Sequence, residues 1–458
     1  MDGGNRRALA ARVVAACAAA GVMAARAPAT TEGAPGPATG LPMQAVTAWR
    51  PSASIEPGDP SEWAIGSAVA IHGDMLAVGP ARDWDIGEDR GGVRLFRRSG
   101  EAWREAGALM HPSLDVHANF GAALAMSDMH LAVGSPRDGT DGFESGAVFM
   151  FRRQGPGWIA EGTLARPDAS TSDLMGSSVA ISGDALVVGC PKADVGALDT
   201  GCVEVFRRVD GVWRHEATLT APEPQIGALF GLSVAIDGPV LLVGAPGDAA
   251  QGSAAGRVHL FVRDAEAWRW DGSIGCPAGA RSWFGASVAA CRGLLVAGAP
   301  RATRPDARGF VRGAAWILEH GESGWAAGDM LVPSDPATGD AIGCAAATDG
   351  TTVVLGATAD DQRGPLVGCG FAFDRRGGAW SVQRLDPPQV TESSLVGHGV
   401  AVDGPWIALG RLGNPEETPG PGRVDLFRAV TRRVDLSGPR AAWTDARNPP
   451  GDQAGSAP

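Results

Sequence analysis

Two glycines thirteen residues apart recur seven times along the chain, and no other feature narrows the fold as far. The first of each pair is Gly66, Gly121, Gly176, Gly231, Gly285, Gly343 and Gly397; the second is Gly79, Gly134, Gly189, Gly244, Gly298, Gly356 and Gly410. The spacing within a pair is constant, whereas successive pairs lie 54 to 58 residues apart. Between the glycines are two short apolar runs and a minimal turn, as in Phe230 to Pro246, FGLSVAIDGPVLLVGAP. Runs joined so tightly form a β-hairpin. A rigid hairpin at a steady period, with length variation confined to connections, marks a solenoid, propeller or array. An interior strand glycine costs roughly 0.5–1 kcal/mol relative to alanine. Its retention in every copy predicts close backbone approach, as at a crowded axis.

Each hairpin is followed by a third strand of Val-x-x-Phe type, such as Val93 to Phe96 and Val203 to Phe206, and then by a tryptophan. Those tryptophans are Trp103, Trp158, Trp213, Trp268, Trp325 and Trp380, each opening a fourth strand. The last third strand, Val424 to Phe427, has no such successor, but Trp49 to Ile55 carries the pattern ahead of the first hairpin. The spacing therefore predicts an all-β, seven-bladed β-propeller of four-stranded blades, with the last blade closed by the N-terminal strand. Second strands such as Leu186-Val187-Val188 are apolar without alternation, as expected when both sheet faces are covered by neighbouring blades. Repeats five to seven are less regular: Trp316 is large for its position, Thr358 replaces a proline, and Gly410-Arg411-Leu412 loses the motif.

The flanks read differently. Residues 1–27 pair a basic start, Arg6, Arg7 and Arg12, with an apolar run from Val13 to Ala25, the pattern of an export signal. Val14-Ala15-Ala16-Cys17 also looks like a lipobox, which makes Cys17 a candidate lipidation site. Residues 28–42 read as a Pro/Ala/Thr/Gly linker, 43–428 as the propeller, and 429–458 as a disordered tail. The expected location is exported: secreted, periplasmic or at the cell surface. A formal net charge of −12 argues against nucleic acid or an anionic membrane as partner, and leaves membrane attachment to a lipid anchor.

Phe230-Gly231 with Gly244-Ala245-Pro246, and Phe284-Gly285 with Gly298-Ala299-Pro300, resemble the two ends of the FG-GAP repeat. That repeat builds the propeller of integrin α subunits and of many bacterial extracellular proteins. The resemblance extends over roughly residues 43–428. Integrin repeats often carry a DxDxDG-type calcium loop between the first two strands. This chain has only tight turns there, such as Ser182-Gly183-Asp184 and Asp237-Gly238-Pro239, too short to converge several oxygens on one ion. It is similar to the calcium-free bacterial variety.

Catalytic motifs are absent: no GxSxG elbow, HExxH or P-loop. Ser178 and Ser233 share one repeat position, which makes them strand residues rather than nucleophiles. Asp83, Asp85 and Asp89 could gather a cation in one acidic loop, although a solvated loop explains them as well. No cofactor is expected. Cys190 ends a second strand and Cys202 begins the next, so the two flank one loop and are expected to form a disulfide. Cys276, Cys291, Cys344 and Cys369 have no assigned pairing.

The second-to-third and fourth-to-first connections are the long ones, and alternating strand direction puts them on one face. That face is the candidate binding surface. Its loops are mostly acidic, with Asp138, Asp141 and Glu144 among them, and Arg301, Arg304, Arg308 and Arg312 form the basic exception. The expected function is an exported, non-catalytic binding, adhesion or scaffold propeller with a protein or glycan partner. The alternative is a propeller hydrolase or lyase acting on extracellular glycans, since this architecture hosts both.

Overall fold

The computed structural model describes residues 44–56, 65–80, 92–112, 118–265, 267–306, 309–333, 341–360, 362–363, 366–376, 378–390, 394–412 and 422–434. Among them there is no helix; the chain is an all-β propeller of four-stranded blades. The export signal with Cys17, the linker and the acids Asp83, Asp85 and Asp89 lie outside the described residues, as does Arg308.

Within each repeat the strands are ordered as in the sequence, every neighbour antiparallel. Repeat four shows the pattern: Ser233–Asp237 pairs with Val240–Ala245, which pairs with Arg257–Arg263, then Trp268–Gly275. The second strands are buried along their whole length, as in Ala185–Cys190 and Val240–Ala245. Outer strands such as Ala102–Met110 are mostly exposed. Apolar layers lie between consecutive repeats rather than within one. Val187, Val203 and Val205 of repeat three meet Val234, Ile236 and Leu241 of repeat four. Ile65, Leu76 and Val78 of repeat one meet Trp406, Ala408 and Leu426 of repeat seven, so the layers close into a ring.

The glycine expectation holds. A Cβ on Gly244 would lie 2.0 Å from the carbonyl oxygen of Gly285, and one on Gly410 equally close to that of Gly66. Each second glycine thus abuts the first glycine of the following repeat, the seventh abutting the first. Ser178, Ser233 and Ser287 finish the same seam, each donating to the neighbouring glycine carbonyl at 2.8 Å. Their recurrence is a seam requirement.

The N-terminal strand closes the last sheet as expected. Gln44–Ile55 pairs antiparallel with Arg423–Val434, outside Trp406–Arg411 and Val400–Asp403. Trp49 is buried; its backbone N–H donates to Gln383 Oε1 at 2.8 Å, and Gln383 returns a bond to its carbonyl at 2.6 Å. The partner strand continues to Val434, which corrects the expected end of the propeller at 428 and the start of the tail at 429.

The number of separate sheets is a second correction. Instead of seven four-stranded sheets there are five, plus one of eight strands formed by repeats five and six. Their junction is a single parallel pair, Gly313↔Ile342. Equivalent bridges, Gly146↔Met175, Gly256↔Phe284 and Gly368↔Val396, stay isolated because they sit in loops. In repeat five the two middle strands are 13 residues each, Leu294–Asp306 and Gly309–Gly321, and pair out to Asp306↔Gly309. That extension draws Gly313 into a strand, so the bridge joins two sheets.

Candidate binding face and the polar wall of repeat three

Both long classes of connection do emerge together, zipped by backbone hydrogen bonds. Phe143 O accepts from Ser172 N at 2.9 Å, Leu198 O from Gly227 N at 3.1 Å, and Ser253 O from Arg281 N at 2.8 Å. Two residues further along, Ser145 O, Thr200 O and Ala255 O accept from Met175, Phe230 and Phe284. Each of these described loops is therefore clamped onto the next repeat. The clamp holds non-glycine residues in the left-handed region at matching positions, Glu144, Asp199, Ala254 and Leu366 at φ 47 to 53°. Such a conformation costs on the order of 1 kcal/mol and persists only where its surroundings over-determine it.

On this clamped scaffold three large apolar side chains are more than 60 % exposed: Phe143 at 72 %, Leu198 at 61 % and Ile226 at 73 %. Phe143 and Leu198 hold equivalent places in repeats two and three, and the bond from Gly227 to Leu198 O brings Ile226 beside Leu198. They form an apolar arc that composition and repeat pattern did not single out.

The expected binding residues fare unevenly. Asp138 is not a surface acid: it is buried, its Oδ1 accepts from Thr140 N at 2.9 Å and its Oδ2 meets His111 Nε2 at 2.7 Å. Asp248 and Asp360 do the same in repeats four and six, folding their loops through Ala250 N and Gln362 N. Arg384 donates to both oxygens of Asp360 at 2.7 Å. Each of these aspartates lies four residues after the second glycine, and Asp83 occupies that position in repeat one. Arg301 is exposed and stacks over Trp283, 3.7 Å from the ring centroid. Arg304 and Arg312 stand in the extended ladder, opposite Val311 and Thr303. The presumed basic loop is thus largely paired strand.

Arginines that the sequence reading passed over tie repeats together near the rim. Arg153 reaches Asp74 at 3.0 Å, Arg208 reaches Glu161 at 2.8 Å, and Arg263 reaches Glu216 at 2.7 Å. Burial alone would raise the Glu161 and Glu216 carboxyls, but these hydrogen bonds outweigh it and hold both below the usual carboxylate range. The recurrent Phe-Arg-Arg that ends the third strand, at Phe151 and Phe206, was the available signal.

Repeat three departs most from its neighbours. Cys190 and Cys202 are direct antiparallel partners, as expected, yet they are free thiols, which corrects the disulfide. Cys202 Sγ lies 3.6 Å from Glu204 Oε1 as a donor, so the thiol has a partner that a disulfide would remove. Glu204 is fully buried. Arg166 Nε donates to its Oε1 at 3.1 Å, while its Oε2 meets His215 Nε2 at 2.6 Å and accepts from Thr218 Oγ1 at 2.7 Å. Burial, reinforced by Cys202 and Glu204, pushes the Cys190 thiol well above its ordinary value.

No curated protein matches the chain. The FG-GAP repeat family matches twice, over residues 158–206 and 213–261, each match running from the fourth strand of one repeat through the first three strands of the next. With that match standing on a propeller of four-stranded blades, the chain carries FG-GAP repeats within a β-propeller.

Proposed function

We propose that this is an exported, non-catalytic binding or adhesion propeller that presents its long-loop face to a protein or glycan partner. The observation that carries the reading is the apolar arc of Phe143, Leu198 and Ile226 on loops whose backbone is locked to the adjacent repeat. Exposed aromatic and aliphatic anchors on a rigid support lose little entropy on binding, and a few such anchors carry most of an interface's energy. In this reading the eight-stranded sheet acts as two blades joined at one residue pair, so the ring counts seven. The basic and apolar start of the chain supports export, and Cys17 would carry a lipid if the lipobox is used.

The glycan hydrolase or lyase alternative requires acid, base or metal groups converging at the axial opening. The inner strands there are small and apolar, as in Ser178–Ser182 and Ser287–Cys291. A glycan and matrix-protein binding screen of the exported protein, run beside product analysis of the same glycans, tests the two together. Retention without turnover supports the binding reading; turnover of any glycan overturns it.

A further inference from the structure

The geometry points to a buried thiolate–carboxylate metal site in repeat three, formed by Cys190, Cys202 and Glu204 and suited to a zinc-class divalent ion. The Sγ atoms of both cysteines and a carboxylate oxygen of Glu204 all lie within 4.8 Å of one another. Zinc bonds sulfur at about 2.3 Å and carboxylate oxygen at about 2.0–2.2 Å. Tetrahedral ligand atoms at those lengths sit about 3.3–3.8 Å apart, so small side-chain adjustments would bring the three onto one ion. Two soft donors with one hard donor favour zinc over calcium or magnesium, which prefer oxygen alone.

The rest of the wall fits the same ion. On equivalent rungs, repeat two has Ser135 and Ala147, repeat five Ala299 and Ala314, and repeat six Ala357 and Cys369. Repeat four has Ala245 and Arg257 on that rung and His259 at the position of Glu204, so repeat three differs from all four in placing two thiols and a carboxylate together. Glu204 is already oriented, with His215 and Thr218 on its second oxygen, the support that metal-bound carboxylates have. Two thiolates, one carboxylate and a divalent ion sum to a single negative charge. Arg166, 3.1 Å from Glu204 Oε1 and only 12 % exposed, faces that charge while also pairing with the buried Asp173 at 2.7 Å, and a cation at this distance lowers the cost of burying the site. On binding, the two S–H bonds break, the protons leave to solvent, and two metal–sulfur bonds form without oxidation. The fourth position falls to a solvent-derived ligand, and His215, 30 % exposed, marks the side from which the site is reached.

Cobalt titration of the full-length, reduced protein tests the site. Tetrahedral thiolate–cobalt absorption saturating near one equivalent, displaced by zinc and reversed by a chelator, is the expected result. The Cys190→Ala/Cys202→Ala protein should lose that absorption, Glu204→Gln should weaken cobalt binding at least tenfold, and Cys344→Ala/Cys369→Ala should leave it intact. The wild-type titration decides even if a variant fails to fold. Absence of the thiolate band in folded wild type, its persistence without Cys190 and Cys202, or a Cys190–Cys202 disulfide mapped in the native protein would overturn the proposal.

Discussion

The seam between repeats and the long-loop face are built by the same strands under opposite constraints. At the seam, backbone meets backbone across glycine, serine hydroxyls finish the contact, and no side chain has room to vary. On the loop face the backbone is held as firmly, yet the side chains at equivalent places are free to differ: Phe143, Leu198 and Ser253 occupy one position in three successive repeats. The fold thus separates what keeps the ring closed from what the ring can display. Substitutions at the seam should cost stability and leave specificity alone; substitutions on the loops should do the reverse.

The closing strand provides the harshest test of the seam. Deleting residues 43–55 removes Trp49 from its bonds to Gln383 and leaves Arg423–Val434 with an unpaired edge. The shortened protein should melt far below the full chain and aggregate, whereas removal of 435–458 should leave the midpoint unchanged. Equal midpoints would mean that the ring does not depend on its N-terminal strand.

One register position compares two buried walls. Glu204 in repeat three has a partner on each oxygen, while His259 in repeat four is buried with neither ring nitrogen hydrogen-bonded, edge-on to Phe230. Burial, assisted by Arg257, pushes the His259 pKa down to about 3. Its folded value lies below the unfolded one of about 6.5, so the neutral ring's contribution is complete above that pH. It is lost as pH falls from about 6.5 toward 3, by roughly 3–5 kcal/mol in all. Denaturation midpoints measured between pH 7 and 4.5 should fall in wild type and fall less in His259→Leu. The depressed carboxyls Glu161 and Glu216 titrate below that window, so parallel slopes would remove His259 as the cause.

Gly244→Ala asks whether the seam's closeness is necessary. The added methyl would meet the Gly285 carbonyl, so two repeats must separate locally, an overpacking cost of about 3 kcal/mol. Gly238→Ala, in a tight turn where a Cβ meets nothing within 4 Å, is the control. Its strain at φ 56° should cost only about 1 kcal/mol. If thermal melts showed the two variants equally destabilised, close approach would not be the reason for the seam glycine.

The seam was legible in the sequence because its requirement is absolute: only glycine fits, so it recurs at fixed spacing. Ring closure was legible for a similar reason, since Trp49 repeats a pattern whose copy is missing after Phe427. The merged sheet was not, because Pro300 to Gly313 has turn-rich composition and its pairing depends on register across both strands. The adjacency of Cys190 and Cys202 could be read from strand order, but their bonding depends on Glu204, an acid inside an otherwise apolar strand. The arginine rim and the loop aspartates were visible as repeats yet looked like ordinary surface charge. Their burial follows from the neighbouring repeat, which a single copy of the motif does not contain.

The smallest stability effect belongs to the loop face, and it carries the most weight for function. Phe143 and Leu198 project from loops whose shape is set by backbone bonds to Ser172 and Gly227, and neither side chain is needed for those bonds. Phe143→Ser/Leu198→Ser should therefore melt within a degree or two of wild type. Buried anchors of this type carry most of an interface's energy, so the same protein should lose at least tenfold in affinity for any partner recovered in the binding screen. Charge reversal at Arg304 should weaken binding less, because its ladder position opposite Val311 places it in paired strand. Losses concentrated instead at His72 or Asp237 would put recognition on the opposite face. There His72 meets Asp128 at 2.9 Å and Asp237 accepts from Gly293 N at 2.6 Å, latching tight turns to one another. Those latches explain the turn residues without a ligand, whereas Phe143 stands 72 % exposed at a clamped loop tip.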